Sequence, residues 1–146
     1  GLPRRTDVIA CLEAMQQDQA QAAAGLHDAH AMTDVTGFGL VGHLRGICDA
    51  SGVGAVLRSG DIPIMQGAQA LSDAGVRSSL FNDNLAGAGD IAGTAPVLLF
   101  DPQTAGGLLA AVSAVSAKAQ VAQLCAAGYR AAIIGEITAG DVLKID

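Results

Sequence analysis

Tryptophan is absent from the 146 residues, tyrosine occurs once and phenylalanine three times. A core without large rings must be built from Ala, Val, Leu and Ile packed closely, which suits helices lying tight on a sheet. Basic residues are also few: eight Lys and Arg stand against 14 Asp and Glu, for a net charge of −6. That balance excludes the basic face that nucleic acid demands and disfavours an anionic membrane surface; no nucleic acid and no membrane are expected as partners. The three cysteines, Cys11, Cys48 and Cys125, include no C-x-x-C pair. Their odd number, with two on the apolar faces of expected helices, predicts buried reduced thiols in a cytoplasmic protein. No apolar run approaches the roughly 18 residues of a membrane-spanning helix, and no signal peptide is expected. The chain opens Gly1-Leu2-Pro3-Arg4-Arg5 without methionine and leads straight into a helix, as the downstream part of a longer protein would.

What is present is a regular alternation of helical and strand patterns. A chain of this size buries about 68 to 70% of its unfolded surface without a disulfide or metal staple, so residues 1–146 are expected to form a single domain. Thr6 is placed to cap a helix with Val8, Leu12, Met15, Ala22 and Leu26 on one face and Gln19 as its polar intruder. Residues 29–33 read as a short strand, Gly39 to Ala50 as a helix closed by Gly52, and Val53 to Leu57 as a strand. Further helices are expected at Ile64 to Ala74 and Ala114 to Ala127, closed by Gly75 and Gly128, and strands at Val97 to Phe100, Leu108 to Val112, Ala131 to Ile137 and Val142 to Ile145. Residues 76–94 hold few core anchors, and read either as a mobile segment ordered by a partner or as a plain linker. The fold class that follows is α/β (α+β), a mixed β-sheet packed with helices.

Two segments carry chemistry. In Thr33-Asp34-Val35-Thr36-Gly37-Phe38-Gly39, a carboxylate stands between a strand end and a glycine-opened helix. Free backbone N–H groups and the helix dipole can attract an anion at such a turn. A carboxylate about 4 Å from a phosphate would repel each of its charges by roughly 4 kcal/mol at an effective dielectric near 20. A cation between them reverses the sign, so Asp34 reads either as a Mg²⁺ ligand facing phosphate or as an N-cap or Asx-turn residue. Residues 37–42 also spell G-x-G-x-x-G, with Asp61 about twenty residues on. Thr33, Asp34 and Thr36 crowd the approach that a dinucleotide site keeps apolar, and Asp61, two residues before Pro63, reads as a helix cap. His43 at the edge of the helix reads as a boundary histidine bonded to backbone. In the second segment, Asp101-Pro102-Gln103-Thr104-Ala105-Gly106-Gly107, the turn either projects Gln103 and Thr104 toward a ligand, with the glycines allowing close approach, or is simply a tight loop.

Together, Thr-Asp-Val-Thr-Gly-Phe-Gly-Leu-Val-Gly-His at 33–43 and Asp-Pro-Gln-Thr-Ala-Gly-Gly-Leu-Leu at 101–109 resemble the C-terminal domain of selenophosphate synthetase (selenide, water dikinase). This family lies within the aminoimidazole ribonucleotide synthetase superfamily, and Ile133-Ile134-Gly135-Glu136-Ile137 is similar to it as well. The resemblance implies an enzyme that makes selenophosphate, AMP and phosphate from selenide, ATP and water. It places the ATP-binding domain, with the catalytic Cys or selenocysteine and most metal-binding aspartates, in a preceding N-terminal domain. It further implies that Asp34 is a Mg²⁺ ligand, that Thr33, Thr36, Gly37, Gln103 and Thr104 line the nucleotide and phosphate cleft, and that no catalytic residue lies in residues 1–146. Its expected partners are the N-terminal domain, ATP, selenide and a second copy in a homodimer, with this part inactive alone. Ala105 departs from the family pattern, which has serine there. The alternatives are a non-catalytic association module of the same fold or a dinucleotide-binding domain.

Overall fold

The computed structural model describes residues 2–146. Its central element is helix α3 (Gly39–Ser51), in which Leu40, Val41, Leu44 and Cys48 recur at helical spacing and are all buried. Gly52 ends it in the left-handed conformation, with φ 65°, as its place after the last apolar residue requires. On one side α3 meets a four-stranded sheet in the order β3 (Ile91–Gly93), β6 (Leu143–Ile145), β2 (Gly54–Leu57), β5 (Gly135–Thr138). β6 runs parallel to both β2 and β3, whereas β5 is antiparallel to β2. The period of two sends Ala55, Leu57, Leu143 and Ile145 into the core and leaves Lys144 exposed. Burial of each such leucine or isoleucine stabilises by about 1.5–3 kcal/mol. α3 also touches a separate ribbon of two antiparallel strands, β1 (Ala31–Asp34) and β4 (Leu108–Ala111). The mixed α/β class expected from the alternating pattern is therefore observed, with the strands divided between two sheets.

Several boundaries differ from expectation, each for a physical reason. The first helical stretch is two helices, α1 (Arg5–Met15) and α2 (Ala20–Gly25). Asp18 accepts from the Ala20 N–H at 2.8 Å and so competes with helix continuation. Arg4, not Thr6, precedes the first turn of α1, and no side chain caps it. Val8 and Leu12 are exposed, because the face turned to the protein is Asp7, Cys11 and Met15. Asp7 is buried and accepts from Arg4 Nε at 2.8 Å and from Gln66 Nε2 at 2.9 Å. These bonds, Arg4's first, hold its carboxyl below the usual carboxylate range.

The helix expected from Ile64 begins only at Ala68, as α4 (Ala68–Asp73). Asp61 caps nothing; it lies in a 3-10 turn at Ser59–Asp61 and pairs with Arg58 at 2.7 Å. Residues 76–94 are neither linker nor structureless, since they supply α5 (Phe81–Gly87) and β3. Phe81 meets Phe100 edge-on at 6.2 Å, and Arg45 donates to the carbonyls of Ala88 and Asp90, fastening the end of this segment to α3. Val97–Phe100 is a 3-10 helix following Pro96, not a strand. That conformation buries the consecutive Leu99 and Phe100 together, which an alternating strand cannot do. α6 covers Ala117–Ala126, and Gln120 on it donates to Asp28 at 2.8 Å, tying it to the chain beyond α2. Residues 131–134 stay outside β5, although Arg58 N–H bonds the Ile134 carbonyl. Of the three free thiols only Cys48 is buried; Cys11 is half-buried and Cys125 exposed.

Candidate functional site

The two chemistry-bearing segments leave the same end of the β1/β4 ribbon and are fastened to each other. Asp34 pairs with Leu108 in the antiparallel register. Beyond it, Val35 N–H donates to the Gly107 carbonyl at 2.9 Å, and Gln103 N–H donates to the Thr36 carbonyl at 3.0 Å. The approach is so close that a Cβ at residue 106 would collide with the Val35 carbonyl oxygen, which is why Gly106 stands there. Gly39 is constrained in the same way: its φ is 70°, and a Cβ would lie 2.8 Å from the carbonyl carbon of Phe100. Ala105 adopts φ 50°, the only positive value at a non-glycine residue among those described.

Alternation along β1 decides which groups face outward. Met32 and Asp34 are exposed, Thr33 is half-buried with its hydroxyl donating to the Asp34 carbonyl at 3.1 Å, and Val35 is buried. Thr36 and Gly37 are half-buried in the turn. The Thr36 N–H donates to His43 Nε2 at 2.9 Å, and the Thr36 hydroxyl lies 3.1 Å from the same nitrogen. Accepting that N–H requires the neutral tautomer with its proton on Nδ1. His43 is thus bonded to backbone, as expected. The ring of Phe38, 67% exposed, rests 5.6 Å from the His43 ring. In the second loop Gln103 is half-buried, and Thr104 and Ala105 are exposed. Burial pushes the Asp101 carboxyl up, and the positive charge of Arg77 partly offsets this.

Asn84 was not marked by any motif, yet it ties the first loop to Phe100, the residue just before the second. Only 7% exposed, its Nδ2 donates to the Gly37 carbonyl and to the Phe100 carbonyl, both at 2.9 Å. Two carbonyl partners fix which side-chain atom is the nitrogen. Asn84 stands within residues 76–94, a stretch that reads as holding few core anchors rather than as a helix carrying a buried amide.

The dinucleotide alternative loses its geometry here. β1 belongs to an antiparallel two-stranded ribbon, whereas that motif opens a parallel βαβ unit. Gly39 and Gly42 are filled against the Phe100 backbone and the Phe38 side chain. Among the described residues no three His, Cys, Asp or Glu side chains converge as a metal cluster. Asp34 accordingly offers one outward carboxylate and not a cage. Also among those residues, no helix is long and apolar enough to cross a membrane.

Comparison with known proteins agrees with this arrangement. The chain is 36% identical over 126 residues to a selenide, water dikinase of Dechloromonas aromatica, an alignment that takes in 81% of this chain and 36% of the relative. A selenide, water dikinase of Enterobacter is 39% identical over 127 residues, with 84% of this chain and 37% of the relative covered. The chain therefore spans little more than a third of the length of these relatives. Among solved structures, the hydrogenase maturation protein HypE of E. coli superposes with a TM-score of 0.65 at 20% identity, over 87% of this chain and 35% of HypE. HypE in its complex with HypF gives 0.64 at 16% identity, over 95% and 44% of the two chains. These last two are likenesses of fold. Residues 8–146 match the family described as AIR synthase related protein, C-terminal domain, and the chain belongs to that family.

Proposed function

We propose that residues 1–146 are the C-terminal half of a two-domain selenophosphate synthetase, which converts selenide, ATP and water to selenophosphate, AMP and phosphate. In this reading the chain lends Asp34 to a Mg²⁺ ion shared with a preceding ATP-binding domain. Thr33, Thr36, Gly37, Gln103 and Thr104 form its side of the nucleotide cleft. The observation that carries the reading is the joining of the two loops by backbone hydrogen bonds, with the Asp34 side chain on the exposed face of the ribbon. The similarity to selenide, water dikinases supplies the reaction class.

The donor chemistry fits the ion. Mg²⁺ takes hard oxygen ligands in an octahedron, usually one or two carboxylates with phosphates and water completing it. Asp34 is such a carboxylate, and its exposure lets a phosphate and a second domain reach it. When bound, the ion would neutralise phosphate charge during transfer. This chain's own contribution is to hold the carboxylate at a fixed place while the Thr36 to Gly39 turn, braced by His43 and Asn84, keeps its shape. The full-length protein is read as a cytoplasmic homodimer, and this half alone as inactive.

The test is reconstitution. Mixed with the separately produced ATP-binding half, the chain should restore selenide-dependent formation of AMP, and the Asp34→Ala chain should not. Restoration that survives Asp34→Ala would remove the metal role, and failure of the intact chain at every stoichiometry would favour an association module.

A further inference from the structure

Away from these loops, the Cys11 thiol touches two methionine sulfurs where α1 docks on the segment leading to α4. Cys11 Sγ lies 3.9 Å from Met15 Sδ, one helical turn on, and 4.0 Å from Met65 Sδ, which comes from across the chain. The junction is held in register by its own bonds, because Asp7, one turn before Cys11, accepts from Gln66, the residue after Met65. All three sulfur residues are half-buried, so the group is both shaped and reachable. Neither the proposed transfer chemistry nor the hydrophobic core uses them.

We propose that Cys11, Met15 and Met65 form a binding site for a soft monovalent metal ion, Cu(I). One thiolate and two thioethers make a donor set that favours Cu(I), whereas Mg²⁺ and Ca²⁺ require oxygen. A metal at the centre of three sulfurs, with metal–sulfur bonds of about 2.3 Å, spaces those sulfurs by about 4.0 Å. The two separations from Cys11 already match that spacing. Binding breaks the Cys11 S–H bond and forms a Cu–S bond, with the proton passing to solvent. The thioethers donate lone pairs without losing a proton, and copper stays in the monovalent state throughout. The Asp7 contacts lie beside the sulfurs and keep α1 docked whether or not the ion is present.

The experiment is an anaerobic titration of the reduced protein with Cu(I) in competition with bathocuproine disulfonate. One Cu(I) per chain should be withheld from the chelator, and X-ray absorption should show sulfur neighbours only, at about 2.3 Å. Cys11→Ser should abolish retention. Met15→Leu and Met65→Leu conserve volume and so preserve packing, and each should weaken retention at least about 10-fold, since each removes a sulfur donor rather than an outer partner. Cys125→Ser, which removes the exposed thiol, should change nothing. Absence of retention would overturn the proposal. So would retention unaffected by both methionine changes, or retention lost with Cys125 rather than Cys11.

Discussion

The Gln103 backbone N–H donates to the Thr36 carbonyl at 3.0 Å, so the second loop hangs directly from the first. Two segments almost seventy positions apart thereby behave as one surface, and Asn84 braces that surface from beneath.

Asn84→Ala would leave the Gly37 and Phe100 carbonyls without their buried donor. Each unsatisfied group costs about 1–3 kcal/mol, so for the two carbonyls a loss of about 2–6 kcal/mol is expected by chemical denaturation. Asn84→Asp should be at least as harmful, since it sets a charge against two carbonyl oxygens. A loss under about 0.5 kcal/mol, the range of an inert surface change, would show that the amide does not brace the loops.

Gly106→Ala would place a methyl group against the Val35 carbonyl, a backbone atom that cannot swing aside. The loops must part, and an overpacking cost of about 1–3 kcal/mol is expected. Faster hydrogen exchange at the amides of Val35 and Gln103 would accompany it. Gly107→Ala, where a Cβ meets nothing within 4 Å, serves as the control and should be mild.

Asp34→Asn should leave stability within about 0.5 kcal/mol of the parent, as expected for an exposed side chain away from caps and packed contacts. The same change should remove reconstituted activity. A large drop in melting temperature would instead mark Asp34 as a structural residue.

The Asp7 carboxyl is held below its ordinary value of 3.8 by Arg4 and Gln66. The ionised form is favoured in the fold, so the stability it contributes is present above the unfolded value. It is lost as pH falls from about that value through the lower folded one. Asp7→Asn should therefore flatten the acid limb of the stability profile below pH 4. A parent and a variant with parallel acid limbs would contradict this.

Periodic apolar patterns made part of this fold legible from the residues alone. α3 shows four buried apolar positions at helical spacing with a glycine stop, and β2 is a short apolar run between turn residues. Where the residues misled, tertiary contacts had the deciding voice. Val97–Phe100 is a four-residue apolar run that fits strand or helix equally, and the choice is set by Pro96 and by two adjacent side chains both finding the core. α1 hides its inward face because a carboxylate, Asp7, lies on it, and burial of that group makes sense only once Arg4 and Gln66 are seen beside it. At the site, the two loops were legible as motifs and His43 as a backbone-bonded histidine. Asn84 was not, because its partners are carbonyl oxygens distant in sequence, which no local pattern records.

The brace at Asn84 bears on affinity as well as stability. One amide gripping carbonyls from two neighbouring stretches of backbone means that lifting either one gives up a buried hydrogen bond. For the phosphate proposed to bind at these loops, part of the ordering would already have been completed during folding, and encounter would cost less entropy.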